Sequence, residues 1–372
     1  YCVTADSVAG EETVVRAVNE LKRHKKICIW AGNGVKLAKA SEELKALSKI
    51  LCAPVVCTYN GIGGIDGGFE NYIGPRSRHG SKVARNAIET AECVVVVGSS
   101  LTAISTNRWE IAAKHVIQFD IIPENIGRHY PVEVGVVGDA KRSIKKISDH
   151  LIREGHKGEP SFLNEILTQK EEWRKEVFSG SITDTEASPV PPVALHMELE
   201  KILRENSVFV VDAGNPGAWT HLTRFPDNTT YMKPVNYGNM GFALGAALGC
   251  KEACPEKEVI ALLGDGSLGM TLGELETIGR EKLPIIILLV NDSAYGNIRQ
   301  EELYKMGVNR YTGVDFPDID YLNVAKALGV DGCIVRKASE IPAAFARARN
   351  SGKPFMVEVK LDGSYTVWPE AF

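Results

Sequence analysis

Short, unbroken apolar runs alternate along this chain with longer stretches in which apolar positions recur every third or fourth residue. Cys93–Val97, Val259–Leu263 and Ile285–Val290 are too short to be amphipathic helices, and they are rich in branched aliphatic side chains. Bounded by turn residues, such runs read as strands buried on both faces, the pattern of a parallel sheet. Between them, Val14, Val15, Val18 and Leu21, or Leu44, Leu47 and Leu51, keep helical spacing. The pattern predicts strands over Ile27–Trp30, Pro54–Thr58, Cys93–Val97, His115–Phe119 and Glu133–Val137. Helices are expected over Glu11–His24, Ser41–Leu51, Lys82–Thr90 and Lys141–Ile152, with a glycine-rich loop over Asn60–Gly74.

Regular strand–helix alternation with about five parallel strands predicts a Rossmann-like domain over residues 1–152. Residues 153–192 read as a linker: one polar helix, Leu163–Phe178, lies between a Gly155-His156-Lys157-Gly158-Glu159-Pro160 stretch and Pro189-Val190-Pro191-Pro192. A second domain, 193–372, repeats the rhythm. It has helices over Ala194–Leu203, Leu268–Arg280, Tyr321–Ala327 and Glu340–Asn350, and further strands over Val208–Asp212 and Phe355–Lys360. The fold class is therefore α/β, with two doubly wound parallel-sheet domains.

Composition narrows the function by exclusion. The 372 residues carry a formal charge of −4, which gives no basic footprint for nucleic acid. No apolar segment has the length of a membrane helix. The 8 cysteines are scattered without a C-x-x-C pair, so buried free thiols in a reducing cytoplasm are expected.

The chemistry concentrates between Gly264 and Asn297. Gly264-Asp265-Gly266 directly follows one apolar strand, and Asn291-Asp292 directly follows the next. In a strand–turn–helix–strand unit, Asp265 and Asp292 both stand just past the carboxyl ends of their strands, where open α/β sheets bind ligands. A helix opening at Gly266 offers free N–H groups and the positive end of its dipole to a phosphate. Two carboxylates converging beside that phosphate point to a hard cation between them. Helix capping by Asp265 alone would leave Asn291-Asp292 unexplained.

A Gly-Asp-Gly with Asn-Asp about 27 positions on resembles the signature of thiamine-diphosphate enzymes. Two more segments resemble the branch containing pyruvate oxidases, acetolactate synthases and 2-oxoacid decarboxylases. Asn236-Tyr237-Gly238-Asn239-Met240-Gly241-Phe242-Ala243-Leu244-Gly245-Ala246-Ala247 is similar to its Gly-x-Met-Gly-Phe-Gly-x-x-x-Ala segment. Val210-Val211-Asp212-Ala213-Gly214-Asn215, followed by Trp219, is similar to its first diphosphate-binding strand and loop.

The resemblance implies thiamine diphosphate and Mg2+ as cofactors. It makes Asp265, Asp292 and the backbone carbonyl of Ala294 the metal ligands, with Asp292 standing where most relatives have Asn. It sets Gly264, Gly266 and Ser267 on one side of the diphosphate, Asn215 and Pro216 on the other, and Tyr295, Gly296 and Asn297 close against it. Gly238 and Met240 are the implied catalytic positions. The Gly238 carbonyl would accept from the cofactor's 4′-amino group, and Met240 would wedge between its two rings and force them to bend. Plain core packing is the alternative for Met240 and for Tyr295.

The implied activity is a lyase or carboligase acting on a 2-oxoacid, acetolactate synthase-like or a decarboxylase, in a homodimer or homotetramer. Glu301 and Asn297 stand where plant and yeast acetolactate synthases carry tryptophan and an apolar residue. Arg299 and Gln300 are candidates to meet a substrate carboxylate, or are simply solvated. Enzymes of this branch bind the pyrimidine ring with another α/β domain that supplies a glutamate. That domain is expected on a preceding segment or a separate subunit, leaving this chain inactive alone. The first domain binds FAD, an adenine nucleotide or nothing in different relatives. Gly32-Asn33-Gly34, Gly98-Ser99-Ser100 and Asp120 are the positions a nucleotide would use here. A pyruvate oxidase-like flavoenzyme and a non-catalytic cofactor-binding subunit stand as alternatives.

Overall fold

The apolar runs of the first half pair into one sheet in the computed structural model, which describes residues 7–76, 80–103, 105, 106, 108, 109, 115–226, 228–235, 237–306 and 311–367. The strands are β1 (Ile27–Ala31), β2 (Val55–Cys57), β3 (Tyr72–Pro75), β4 (Cys93–Val97), β5 (His115–Asp120) and β6 (Val134–Val137). All are parallel, in the order β3-β2-β1-β4-β5-β6. The central strands β1 and β4 are buried at every position, as a sheet covered by helices on both faces requires. Winding outward from β1 in both directions makes the sheet doubly wound.

The second half supplies β7 (Val208–Val211), β8 (Thr230–Met232), β9 (Val259–Gly264), β10 (Ile285–Asn291), β11 (Asp331–Val335) and β12 (Phe355–Lys360). These form a second parallel sheet, β11-β12-β10-β9-β7-β8. Alternate residues of its inner strands, Val210, Ala261, Leu263, Ile287 and Leu289, pack with Ala247, Leu268, Leu275 and Ile278 from the helices. From β7 the chain goes to β8 on one side and, through the helix Ala243–Ala253, to β9 on the other. That reversal opens a crevice at the carboxyl ends of β7 and β9.

The chain divides into two compact units, Tyr1–Glu176 and Val177–Phe372. The helix Pro160–Val177 buries Phe162, Ile166 and Trp173, and Lys170 Nζ donates to the Tyr72 carbonyl at 2.6 Å. Three strands were not expected: β3, within the glycine-rich loop, and β8 and β11. Each lies at the edge of its sheet, where one flank needs no partner strand and Pro75 and Gly74 are tolerated. The helix expected over Leu268–Arg280 is two helices, Asp265–Met270 and Glu274–Arg280. Gly269 and Gly273 weaken the continuous helix, and the Thr271 hydroxyl bonds back to the Ser267 carbonyl at 3.2 Å. All cysteines among the described residues are free, and no helix among them is long and apolar enough to cross a membrane.

Candidate active site

A cleft open to solvent lies over the carboxyl ends of β7, β9 and β10. Asn215 and Pro216 enter it from the short helix that follows β7, and Gly238 and Met240 from the loop before Ala243–Ala253. Gly264 ends β9, and Asp265, Gly266 and Ser267 open the next helix. Asp292, Ala294, Tyr295, Gly296 and Asn297 follow β10. Every residue that the resemblance sets around the diphosphate, the metal and the cofactor's rings lines this one cleft. Asn236, quoted in the same motif, lies outside the described residues.

Asp265 is 2% exposed. Its Oδ1 accepts from Gly266 N–H at 2.9 Å and its Oδ2 from Ala294 N–H at 3.2 Å. Burial first, and then the Asp292 carboxylate, push Asp265 up to about 7. Burial pushes Asp292 up to about 6, against the opposing pull of Arg299. The pair is thus a site of concentrated negative potential that a cation would relieve. Beside it, Ser267 Oγ is shielded from solvent and makes no hydrogen bond.

The backbone after β10 is held by a bridge in which Tyr295 N–H donates to Val314 and Phe316 N–H to Ser293. In such an antiparallel bridge the N–H and C=O of the intervening residue, Ala294, turn to the opposite side. Two glycines keep the floor open. A Cβ on Gly296 would stand 2.4 Å from Asp292 Oδ2, and one on Gly266 would stand 2.6 Å from Tyr295 Cε1 and 3.2 Å from Met240 Cε. Tyr295 both lines the cleft and packs edge-on against Phe316, with ring centroids 4.5 Å apart. Asn297 Nδ2 donates to Asn215 Oδ1 at 2.9 Å, joining the two loops.

Sequence reasoning missed Asp212 as a site residue. Its buried carboxylate accepts from the N–H groups of Ala213, Gly241, Phe242 and Ala243, and so holds the loop that carries Met240. The signal was an acidic residue ending an apolar strand, the same signal that marks Asp265. Asn291 was also left without a role. It ties the end of β10 to Glu358 of β12 at 2.8 Å and accepts from Ser293 N–H at 3.0 Å, which fixes the turn presenting Asp292. Leu361, beyond β12, completes the wall.

Arg299 and Gln300 do not line the cleft. Arg299 pairs with Asp315 at 3.5 Å and sits over the Tyr311 ring, and Gln300 bonds Tyr365 and Val367. In the first unit, the turn glycines pack on each other: a Cβ on Gly34 would stand 2.6 Å from the Gly98 Cα. Asp120 caps its own turn, accepting from Ile122 N–H and Asn125 Nδ2.

Two neighbouring carboxylates, a glycine floor and an unbonded hydroxyl thus meet at the switch point of a parallel sheet, the place where open α/β sheets bind ligands. The description "Thiamine pyrophosphate enzyme, C-terminal TPP binding domain" matches residues 212–359, and "Thiamine pyrophosphate enzyme, central domain" matches residues 14–147. The chain belongs to the thiamine pyrophosphate enzymes. It is 26% identical to the pyruvate oxidase of Lactiplantibacillus plantarum, across 95% of this chain and 58% of that protein. It is 28% identical to the sulfoacetaldehyde acetyltransferase of Alcaligenes xylosoxydans xylosoxydans, across 94% of this chain and 63% of that protein. It is 27% identical to the acetolactate synthase isozyme 2 large subunit of Escherichia coli, across 96% of this chain and 63% of that protein. The chain thus spans about three-fifths of the length of these curated relatives.

Proposed function

We propose that the cleft anchors thiamine diphosphate through Mg2+ held by Asp265, Asp292 and the Ala294 carbonyl, and that the complete protein is a lyase or carboligase acting on a 2-oxoacid. The observation that carries this reading is the Asp265–Asp292 pair, the first buried and the second half-buried, with carboxyl pKa values pushed up to about 7 and about 6, beside the unbonded Ser267 hydroxyl. A hard cation satisfies both carboxylates, and a phosphate oxygen satisfies the hydroxyl. When bound, thiamine diphosphate supplies a carbon acid that adds to a carbonyl and takes up the electron pair released with carbon dioxide.

The chain's own residues bind and orient. Asp292, in place of the neutral amide usual in relatives, adds a charge and so makes diphosphate binding depend more strongly on metal. Gly266 and Gly296 leave room for the diphosphate against the backbone. Met240, opposite Gly266, supplies the bulk that supports a bent cofactor, and Gly238 presents its carbonyl on the same loop. Asp212 fixes that loop, and Leu361 and Tyr295 give the cleft its apolar walls.

The test is carbon dioxide release from a panel of 2-oxoacids, with Mg2+ and thiamine diphosphate present. The chain alone should release none, and the chain together with a pyrimidine-binding domain should turn over at least one of the panel. Turnover by the isolated chain would contradict the need for that domain. No turnover in the assembled enzyme would contradict the 2-oxoacid reading.

A further inference from the structure

Three side chains with metal-binding atoms, Glu20, His24 and His115, converge at the amino-terminal edge of the first sheet, and Glu133 stands beside His115. Glu20 lies in the last turn of the helix Glu11–Lys22, and His24 follows four residues later on the same face. His115 opens β5, and Glu133 directly precedes β6. Glu20 Oε1 is 2.9 Å from His24 Nε2 and 3.6 Å from His115 Nδ1, and Glu133 Oε1 is 3.3 Å from His115 Nδ1. Glu20 is only 8% exposed. The ligand atoms of Glu20, His24 and His115 all lie within 4.8 Å of one another.

An ion-pair network accounts for only part of this. His24 meets Glu20 at hydrogen-bond distance, and Arg23 holds the other Glu20 oxygen at 2.9 Å. But His115 Nδ1 is shielded from solvent and makes no hydrogen bond, although two carboxylates flank it. Pairing both rings with carboxylates as imidazolium would also set two positive rings 4.5 Å apart between centroids. A shielded polar atom that makes no hydrogen bond calls for a water or an ion. Neutral imidazoles sharing a cation with the Glu20 carboxylate resolve both difficulties.

We propose that Glu20, His24 and His115 bind a zinc-class divalent transition ion, with water as the fourth ligand. Bonds of about 2.0–2.1 Å in a tetrahedron place ligand atoms about 3.4 Å apart, and the Glu20 separations of 2.9 Å to His24 and 3.6 Å to His115 bracket that spacing. Two imidazole nitrogens with a carboxylate oxygen suit zinc and its neighbours rather than magnesium or calcium. The ion would join the end of the first helix to the start of β5.

Zinc titration of the full chain by equilibrium dialysis, with Mg2+ in excess, tests this, together with X-ray absorption at the zinc edge. One zinc per chain is expected, with nitrogen and oxygen neighbours and no sulfur, and with a melting temperature that rises as zinc is added. His24→Gln and His115→Gln should each weaken binding at least about tenfold. Asp265→Ala should keep the zinc. Failure to bind zinc, a sulfur-dominated spectrum, or full retention of zinc by both histidine variants would overturn the assignment.

Discussion

Replacing Asp212 by asparagine isolates the carboxylate that holds the Met240 loop. The side chain is 1% exposed. Oδ1 accepts from Ala213 at 2.8 Å and Phe242 at 3.4 Å, and Oδ2 from Gly241 at 3.2 Å and Ala243 at 3.1 Å. Asparagine keeps one acceptor oxygen and turns an NH2 group toward the other two N–H groups. Each buried donor left unpaired costs about 1–3 kcal/mol, so the gross loss is about 2–6 kcal/mol. Against this, burial raises the Asp212 carboxyl pKa, so the native carboxylate bears a desolvation cost that the neutral amide escapes. A net loss of about 1–3 kcal/mol remains. For a unit of this size it lowers the melting temperature by about 2–12 °C. Urea unfolding of both variants measures the difference directly, and turnover in the assembled enzyme should fall because Met240 is no longer held. A stability change below about 0.5 kcal/mol, the range of ordinary surface substitutions, would refute the anchoring role of Asp212.

Gly296→Ala would drive a methyl group to 2.4 Å from Asp292 Oδ2 and 3.1 Å from Asn215 Nδ2. Calorimetric titration should show Mg2+-dependent thiamine diphosphate affinity falling by at least about tenfold, since the carboxylate proposed as a metal ligand is displaced. Met240→Ala should leave that affinity nearly intact yet slow hydrogen–deuterium exchange at the cofactor's reactive carbon by about a hundredfold in the assembled enzyme. Normal exchange with a loss of about 2–5 kcal/mol in stability would make Met240 only a packing residue. His196 is fully buried and bonded to Thr223 through Nδ1 at 2.8 Å, and burial pushes its pKa down from 6.5 to about 3. The unfolded chain therefore binds a proton that the native state refuses between those values, so stability is complete above about pH 6.5 and falls toward pH 3. His196→Gln should reduce the acid slope by up to about 1.4 kcal/mol per pH unit; an unchanged slope would mean that the native ring is protonated.

The inner strands were legible because a strand buried on both faces reads as a continuous apolar run, as β4, β9 and Ile285–Val290 of β10 do. The edge strands β3, β8 and β11 carry no such run: β11 exposes Asp331 and Ile334, and β3 contains Gly74 and Pro75. Their pairing is imposed by neighbours, which local sequence does not report. At the site, Asp265 and Asp292 were legible because each ends an apolar strand beside a turn. Asp212 carries the same signal, but its partners are backbone N–H groups about thirty residues away. The break between Met270 and Glu274 was legible only as two glycines inside a good helix pattern. The Glu20, His24, His115 and Glu133 cluster was out of reach, because the sheet register alone brings β5 and β6 to the end of the first helix.

The most direct test of the central claim is calorimetric titration of thiamine diphosphate into the chain, with and without Mg2+, for the native sequence, Asp265→Ala and Asp292→Asn. Metal-dependent binding should appear in the native chain, vanish in Asp265→Ala, and survive in Asp292→Asn, whose amide keeps an oxygen for the metal. Equal binding by all three, or binding indifferent to Mg2+, would contradict the assignment of Asp265 and Asp292 as the cation's ligands.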